Sequence, residues 1–249
     1  MRPLPSSVIT KEGIIHMLIF VTGATGTVGR LVLPSLVEAG ANVRALTRNP
    51  AASNFPAGVE TVSGDLEQPD TLDAAFDGVD VLYLIAAGER STDVVNLAKV
   101  KGVKRIVTLS SASAGFEDNP GGNYHRDFEL TVESSGLPWT HVRPGMFATN
   151  LLDWAEEIKS TRTVRAPYDN ARQAPVHERD VADVAATALL NDSHAGSIHT
   201  LSGPDSLTKS EQIEAISTAL GEPIRFEEIT PEQWRDEIGS STPTYVLDW

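Results

Sequence analysis

Three glycines, Gly23, Gly26 and Gly29, follow the apolar run Met17-Leu18-Ile19-Phe20-Val21 at three-residue intervals. Between a strand and a helix, this spacing cradles phosphate. Gly23 permits a sharp turn, Gly26 lets backbone approach a pyrophosphate, and Gly29 lets the helix pack closely. Thr25, Thr27 and Val28 complete the turn and bring backbone N–H groups to the helix N-terminus, where the macrodipole adds partial positive charge. The chemistry such a turn serves is the holding of a dinucleotide. Arg48 adds a cation just beyond Asn42–Thr47, which reads as the next strand. An acid there would bond a ribose 2′-hydroxyl and repel a 2′-phosphate, yet Glu38 is the one acid between Gly29 and Glu60, so NADP is favoured over NAD. Arg44, inside the strand, reads as structural.

The elements that must position these groups alternate along the chain. Leu31, Leu33, Leu36 and Val37 give a helix an apolar face, with Pro34 removing one of its N–H donors. Residues 59–63, 80–87, 103–109 and 139–143 read as further strands, and 69–76, 93–100 and 124–135 as helices between them. The strand at 80–87 is apolar on both faces, as a central parallel strand should be, and ends at Ala86 and Ala87, small enough for backbone to approach a cofactor. This is an α/β doubly wound parallel sheet, the Rossmann arrangement. Beyond Gly145 the pattern predicts a helix over 147–158, a polar stretch to Gln173, a helix capped by Asp180 and a smaller α/β region after it. The expected division is a disordered leader at 1–16, a dinucleotide-binding core at 17–150 and a C-terminal substrate-side region at 151–249.

At 249 residues the chain suits one such domain with a small elaboration. Its net charge of −14 argues against sequence-independent binding to nucleic acid or an anionic membrane, both of which need a cationic surface. Without cysteine there is no disulfide framework, thiolate metal site or cysteine nucleophile. The histidines show no metal-ligand spacing, so no metal is expected. Cleavage of the leader and its apolar run as a signal peptide would remove the strand that presents the glycine turn, so a cytoplasmic location is expected.

The chain resembles the atypical short-chain dehydrogenase/reductase superfamily, and within it the NmrA-like branch of NADPH-dependent quinone reductases and redox-sensing regulators. The resemblance spans residues 17–234. It rests on the glycine turn, Arg44-Ala45-Leu46-Thr47-Arg48, Gly64-Asp65-Leu66, Leu109-Ser110-Ser111, the run from Ser135 to Gly145, Phe147 with Asn150, and Arg179-Asp180-Val181-Ala182. It implies that Asp65 and Leu66 lie beside the adenine, that Ser110 contacts the cofactor, and that Pro144 and Gly145 shape the nicotinamide pocket. Phe147, Asn150 and Trp154 are candidate pocket-lining residues.

The resemblance also frames the catalytic question. The superfamily pairs a serine after the fifth strand with Tyr-x-x-x-Lys, whose lysine lowers the tyrosine pKa. Ser111 fits the serine position, but Tyr124 is followed four residues on by Phe128, and the NmrA-like pattern aligns His125 and Glu129 with the Tyr–Lys pair. Two registers compete: Tyr124 facing the cleft without an activating cation, or His125 facing it with Glu129 as partner. The leading expectation is NADPH-dependent reduction of a small quinone or conjugated carbonyl by hydride transfer; the alternative is a non-catalytic NADP(H)-binding sensor.

Overall fold

The computed structural model describes residues 17–116 and 119–238; the leader expected at 1–16 lies outside the described residues. The chain folds into two compact units. One runs through Pro144 and takes up Glu178–Leu201; the other holds Gly145–His177 and the described residues from Ser202 on. The segment 178–201, expected with the C-terminal region, therefore belongs to the first unit.

The first unit is built on seven parallel strands: β1 (Leu18–Val21), β2 (Asn42–Thr47), β3 (Val59–Ser63), β4 (Val81–Ile85), β5 (Arg105–Leu109), β6 (Trp139–Pro144) and β8 (Ser197–Leu201). Their order is β3-β2-β1-β4-β5-β6-β8, so the winding reverses between β1 and β4, the switch point where open α/β sheets bind ligands. The helices are α1 (Gly29–Glu38), α2 (Ser91–Val100), α3 (Pro120–Ser134) and α5 (Glu178–Leu190), with α4 (Ala155–Thr161) in the second unit. Phe20, Leu46, Leu82, Leu84 and Ile106 meet Val94, Val95, Phe128 and Val132 of α2 and α3 in one core. The intervening strand residues Ile19, Val21, Tyr83 and Val107 are equally buried, which is why these strands read as continuous apolar runs. Arg105 donates to the carbonyls of Ala188 and Leu189, placing a buried cation on the C-terminal end of α5.

Three expectations need correction. Residues 69–76 form two 3₁₀ turns, Pro69–Leu72 and Ala74–Phe76, in place of one helix. Thr71 Oγ1 donates to Gln68 O at 2.7 Å and accepts from Asp65 N at 3.0 Å, so a side chain competes with helical bonding. Asp180 lies in the first turn of α5, which starts at Glu178, and does not cap it. The segment after Phe147 begins as a 3₁₀ helix, Ala148–Trp154, before α4.

The second unit holds a two-stranded parallel sheet, β7 (Thr163–Ala166) with β9 (Arg225–Glu228), and the helices α6 (Lys209–Leu220) and α7 (Pro231–Ile238). Its core gathers Ile158, Val164 and Ile213, with Trp154, Ile216, Ile224 and Phe226 packed on them. Thr208 and Glu211 form a reciprocal capping box at the start of α6. β7 falls in the stretch read as merely polar; its alternation rests on Val164 and Ala166 alone. Among the described residues, no helix is long and apolar enough to cross a membrane.

Candidate active site

Because the strands of the first unit run parallel, the loops after their carboxyl ends share one edge of the sheet. Along that edge the structure places Gly23–Gly29 after β1, Arg48 after β2, Asp65 and Leu66 after β3, Ala86 and Ala87 after β4, and Ser110 and Ser111 after β5, with Pro144 ending β6. At Gly23 φ is +59°, and Gly26 N–H donates to Gly23 O at 2.9 Å to close the turn. A Cβ on Gly29 would stand 2.2 Å from that same carbonyl oxygen, so α1 can begin there only on a glycine. Thr25, Gly26 and Thr27 are exposed, and no acid occupies the first turn of α1. An open helix start of this kind, free of acids and with the exposed Arg30 as its second residue, fits an anionic phosphate.

Thr22 ties this turn to the next strand. Its Oγ1 donates to Tyr83 O at 2.9 Å and accepts from Ile85 N at 3.0 Å, continuing the β1–β4 link past the last paired residues. Ser91 does the same for the β4 loop, accepting from Ala87 N and donating to Gly88 O. Thr22 does not stand out in the sequence, because it acts on backbone that only the fold brings close, whereas the bonds of Ser91 are local to its own turn.

Arg48 is exposed. Arg44, by contrast, pairs with Glu60 at 2.9 Å and donates to the carbonyls of Ala75 and Asp77, a structural duty. Asp65 Oδ1 accepts from Glu67 N at 3.0 Å and so shapes its own turn, while the Leu66 side chain packs on the core. Phe147 bridges to Val176, and Trp154 joins the second unit's core.

The carboxyl ends of β5 and β6 carry a buried polar cluster. Ile106, Thr108 and Ser110 alternate along one strand, Trp139, His141 and Arg143 along the other, and Thr108 is paired with His141 in register. Both rows turn from apolar to polar toward the carboxyl edge. Over them α3 sets Arg126, Glu129 and Glu133, spaced to share one helix face. Glu129 is fully buried. Its Oε1 accepts from Ser110 Oγ and Arg143 Nε, both at 2.7 Å, and its Oε2 from Arg143 Nη2 at 2.5 Å and Arg126 Nη1 at 3.0 Å. Arg126 reaches on to Glu133 at 2.6 Å, Glu133 lies 3.4 Å from His141 Nε2, and His141 Nδ1 is 2.7 Å from Thr108 Oγ1. Burial alone would raise the Glu129 pKa, but the hydrogen bonds from Arg143 and Ser110 outweigh it and hold the carboxyl below its ordinary value. Burial pushes His141 down and keeps it neutral near pH 7. Glu129, Glu133 and His141 are close enough to share a metal ion, but both arginines already neutralise the two carboxylates.

Residue 125 faces inward from α3 while its neighbour does not. Tyr124 is half-exposed, its ring edge-on to that of His125 at 5.3 Å. His125 is partly buried, and burial lowers its pKa despite the charge of Glu129. All four acceptor positions of Glu129 are taken by Ser110, Arg143 and Arg126, so the expected His125–Glu129 partnership reduces to the field of a nearby charge. Ser111 Oγ accepts from Ser113 N and Ser113 Oγ, capping the short turn Ala112–Gly115. The start of α3 presses on that turn: a Cβ on Gly122 would lie 2.3 Å from Ser113 O.

Residues 23–192 match the family described as NAD(P)H-binding. The chain is 39% identical over 237 residues, 93% of its length and 84% of the relative's, to (4-alkanoyl-5-oxo-2,5-dihydrofuran-3-yl)methyl phosphate reductase of Streptomyces griseus subsp. griseus. It is 33% identical over 241 residues, with the same two coverages, to NAD(P)H azoreductase of Xenophilus azovorans. Among solved structures, an NADPH-dependent quinone oxidoreductase of Escherichia coli has a TM-score of 0.81 at 25% identity, covering 92% of this chain and 85% of that one.

Proposed function

The chain belongs to the NAD(P)H-binding family, in the NmrA-like branch of the atypical short-chain dehydrogenases/reductases, and from that membership we propose that it is an NADPH-dependent reductase of a small quinone or conjugated carbonyl compound. The observation that carries this reading is the 39% identity, over nearly the whole chain, to a protein named as a reductase. That name describes a ring carbon–carbon double bond conjugated to a lactone carbonyl and an acyl group, which is an electrophile ready to accept hydride. An azo compound and a quinone, named for other relatives, are electrophiles of the same kind.

The candidate site suits such acceptors. An already electrophilic acceptor needs proximity and orientation more than strong acid catalysis, and no lysine follows Tyr124 at the activating position. The turn through Thr25, Gly26, Thr27 and Val28 would hold the pyrophosphate, Arg48 the 2′-phosphate, and Asp65 and Leu66 the adenine end. Ala86 and Ala87 would let backbone approach, and Ser110 and Pro144 would border the nicotinamide. When bound, the reduced cofactor supplies the hydride. His125, kept neutral by its burial, would hold a substrate oxygen by hydrogen bonding, and Ser111 would offer a second polar contact.

A second reading, a sensor that binds NADP(H) without turnover, draws on the engagement of Glu129 away from His125. Calorimetric titration with NADPH, NADP⁺ and NADH, followed by a panel of quinones and enones added to the NADPH complex, separates the two. Saturable loss of NADPH absorbance with an acceptor is the expected result. Tight binding that differs between the redox states, with no acceptor turned over, would replace the reductase with the sensor.

A further inference from the structure

Resting on the reductase reading above, we propose that Glu129 is a positioning residue for hydride transfer, clamping the carboxyl ends of β5 and β6 so that the segments beside the nicotinamide keep one orientation. Glu129 contacts neither end of the reaction itself; it acts through Ser110 and Arg143. In that reading Ser110 itself borders the nicotinamide and precedes Ser111, and Arg143 precedes Pro144, so the clamp grips one strand at, and the other one residue before, a group assigned to the reaction end of the cofactor.

The grip is directional. Arg143 meets the carboxylate through Nε and Nη2, a two-point fork that fixes the angle between β6 and α3 as well as their distance. Ser110 shares Oε1 with Arg143, which couples the two strand ends through one atom. The turn after Ser110 is held from its far side where Gly122 abuts Ser113 O. A mere need for cohesion would be met as well by apolar side chains, since replacing a buried ion pair with packed hydrophobic residues is often neutral or stabilising. The same rows of β5 and β6 are in fact apolar at Ile106 and Trp139, further from the carboxyl edge. Polar, angle-fixing contacts are thus concentrated where ligand geometry is set.

The test compares the full chain with Glu129→Gln, Arg143→Lys and the double variant. NADPH affinity is measured by calorimetry, the emission of bound NADPH reports the nicotinamide surroundings, and kcat is taken with a quinone that the wild-type protein reduces. Glu129→Gln is expected to lower kcat about tenfold or more, as small misplacements do, while the NADPH Kd moves by less than about threefold because the phosphates are held elsewhere. Arg143→Lys keeps the charge, loses the fork and shifts kcat in the same direction, and the double variant is no worse than the weaker single one, as one shared clamp requires. Bound NADPH emission changes in each variant. Unchanged kcat and emission in Glu129→Gln, or kcat and affinity lost together in proportion to a lowered Tm, would overturn the proposal. If the wild-type protein binds NADPH but reduces nothing, the reductase reading fails, and unaltered emission in both single variants then overturns the clamp by itself. Wild-type protein that binds no NADPH overturns both.

Discussion

Two stretches of one sheet edge are built by opposite means. The turn after β1 is made of small, uncharged residues left open, and its geometry is enforced by backbone: Gly23 at positive φ and Gly29 against a carbonyl. The ends of β5 and β6 are closed and charged, and their geometry is enforced by long side chains converging on Glu129. Open backbone donors suit affinity for a phosphate, whose charge tolerates many approaches. A buried bidentate pair suits orientation, because it penalises every angle but one. If both regions serve one cofactor, damage to the first should appear in binding and damage to the second in turnover and stability.

The largest effect is expected from Glu129→Ala. It leaves Arg143 buried without its counter-charge, and the loss of stability should be about 3–5 kcal/mol by urea unfolding. A loss below about 1 kcal/mol would mean that the cluster is solvated and holds nothing. Next comes Gly29→Ala, whose Cβ meets Gly23 O and C and so must displace the turn; about 2 kcal/mol of stability should go, and NADPH binding with it. Gly26→Ala sharpens the same point, since its Cβ would be 3.1 Å from Gly23 O in an exposed position. Its Tm should stay near the wild-type value while NADPH binding weakens, and equal effects on both would show that the turn is only structural. Arg48→Ala is expected to weaken NADPH about tenfold to a hundredfold and NADH by much less, the worth of one charge-assisted contact. Equal losses for both nucleotides would remove Arg48 from the 2′-phosphate.

The difference between the two regions also decides what is legible in the sequence. Gly23, Gly26 and Gly29 lie within seven consecutive residues, and the reason for each is local, so the β1–α1 unit and with it the sheet can be read from spacing. The clamp joins residues 14 and 19 positions apart across three elements, and no local pattern states that Glu129 will meet Arg143 before His125. A faint signal does exist: Thr108 and Ser110, then His141 and Arg143, interrupt apolar strands two residues apart, and Arg126, Glu129 and Glu133 fall on one helical stripe. Short elements are the least legible. The 3₁₀ turns at 69–76 escape a periodicity reading because Thr71 bonds backbone with its side chain, and β7 escapes it because four residues carry too little alternation.

Mild acid offers the smallest test and a clean one, since the glycine turn contains no titratable side chain. Burial lowers the pKa of His141, and likewise of His125 and His194, below the ordinary 6.5. The unfolded chain then binds protons on these groups before the folded one does, so stability is complete above about pH 6.5 and declines as pH falls toward the depressed values. Glu129, held below its ordinary carboxyl value, contributes no loss until more acid pH. Glu157, pushed up by burial, works in the opposite direction, so the informative quantity is a difference between proteins. Between about pH 7.5 and 5.5 the wild-type chain should lose more stability than His141→Gln, whose replacement side chain does not titrate. Parallel stability curves for the two proteins would mean that His141 exchanges protons as freely as in the unfolded chain, and the β5–β6 cluster would then be as open to water as the turn it is contrasted with.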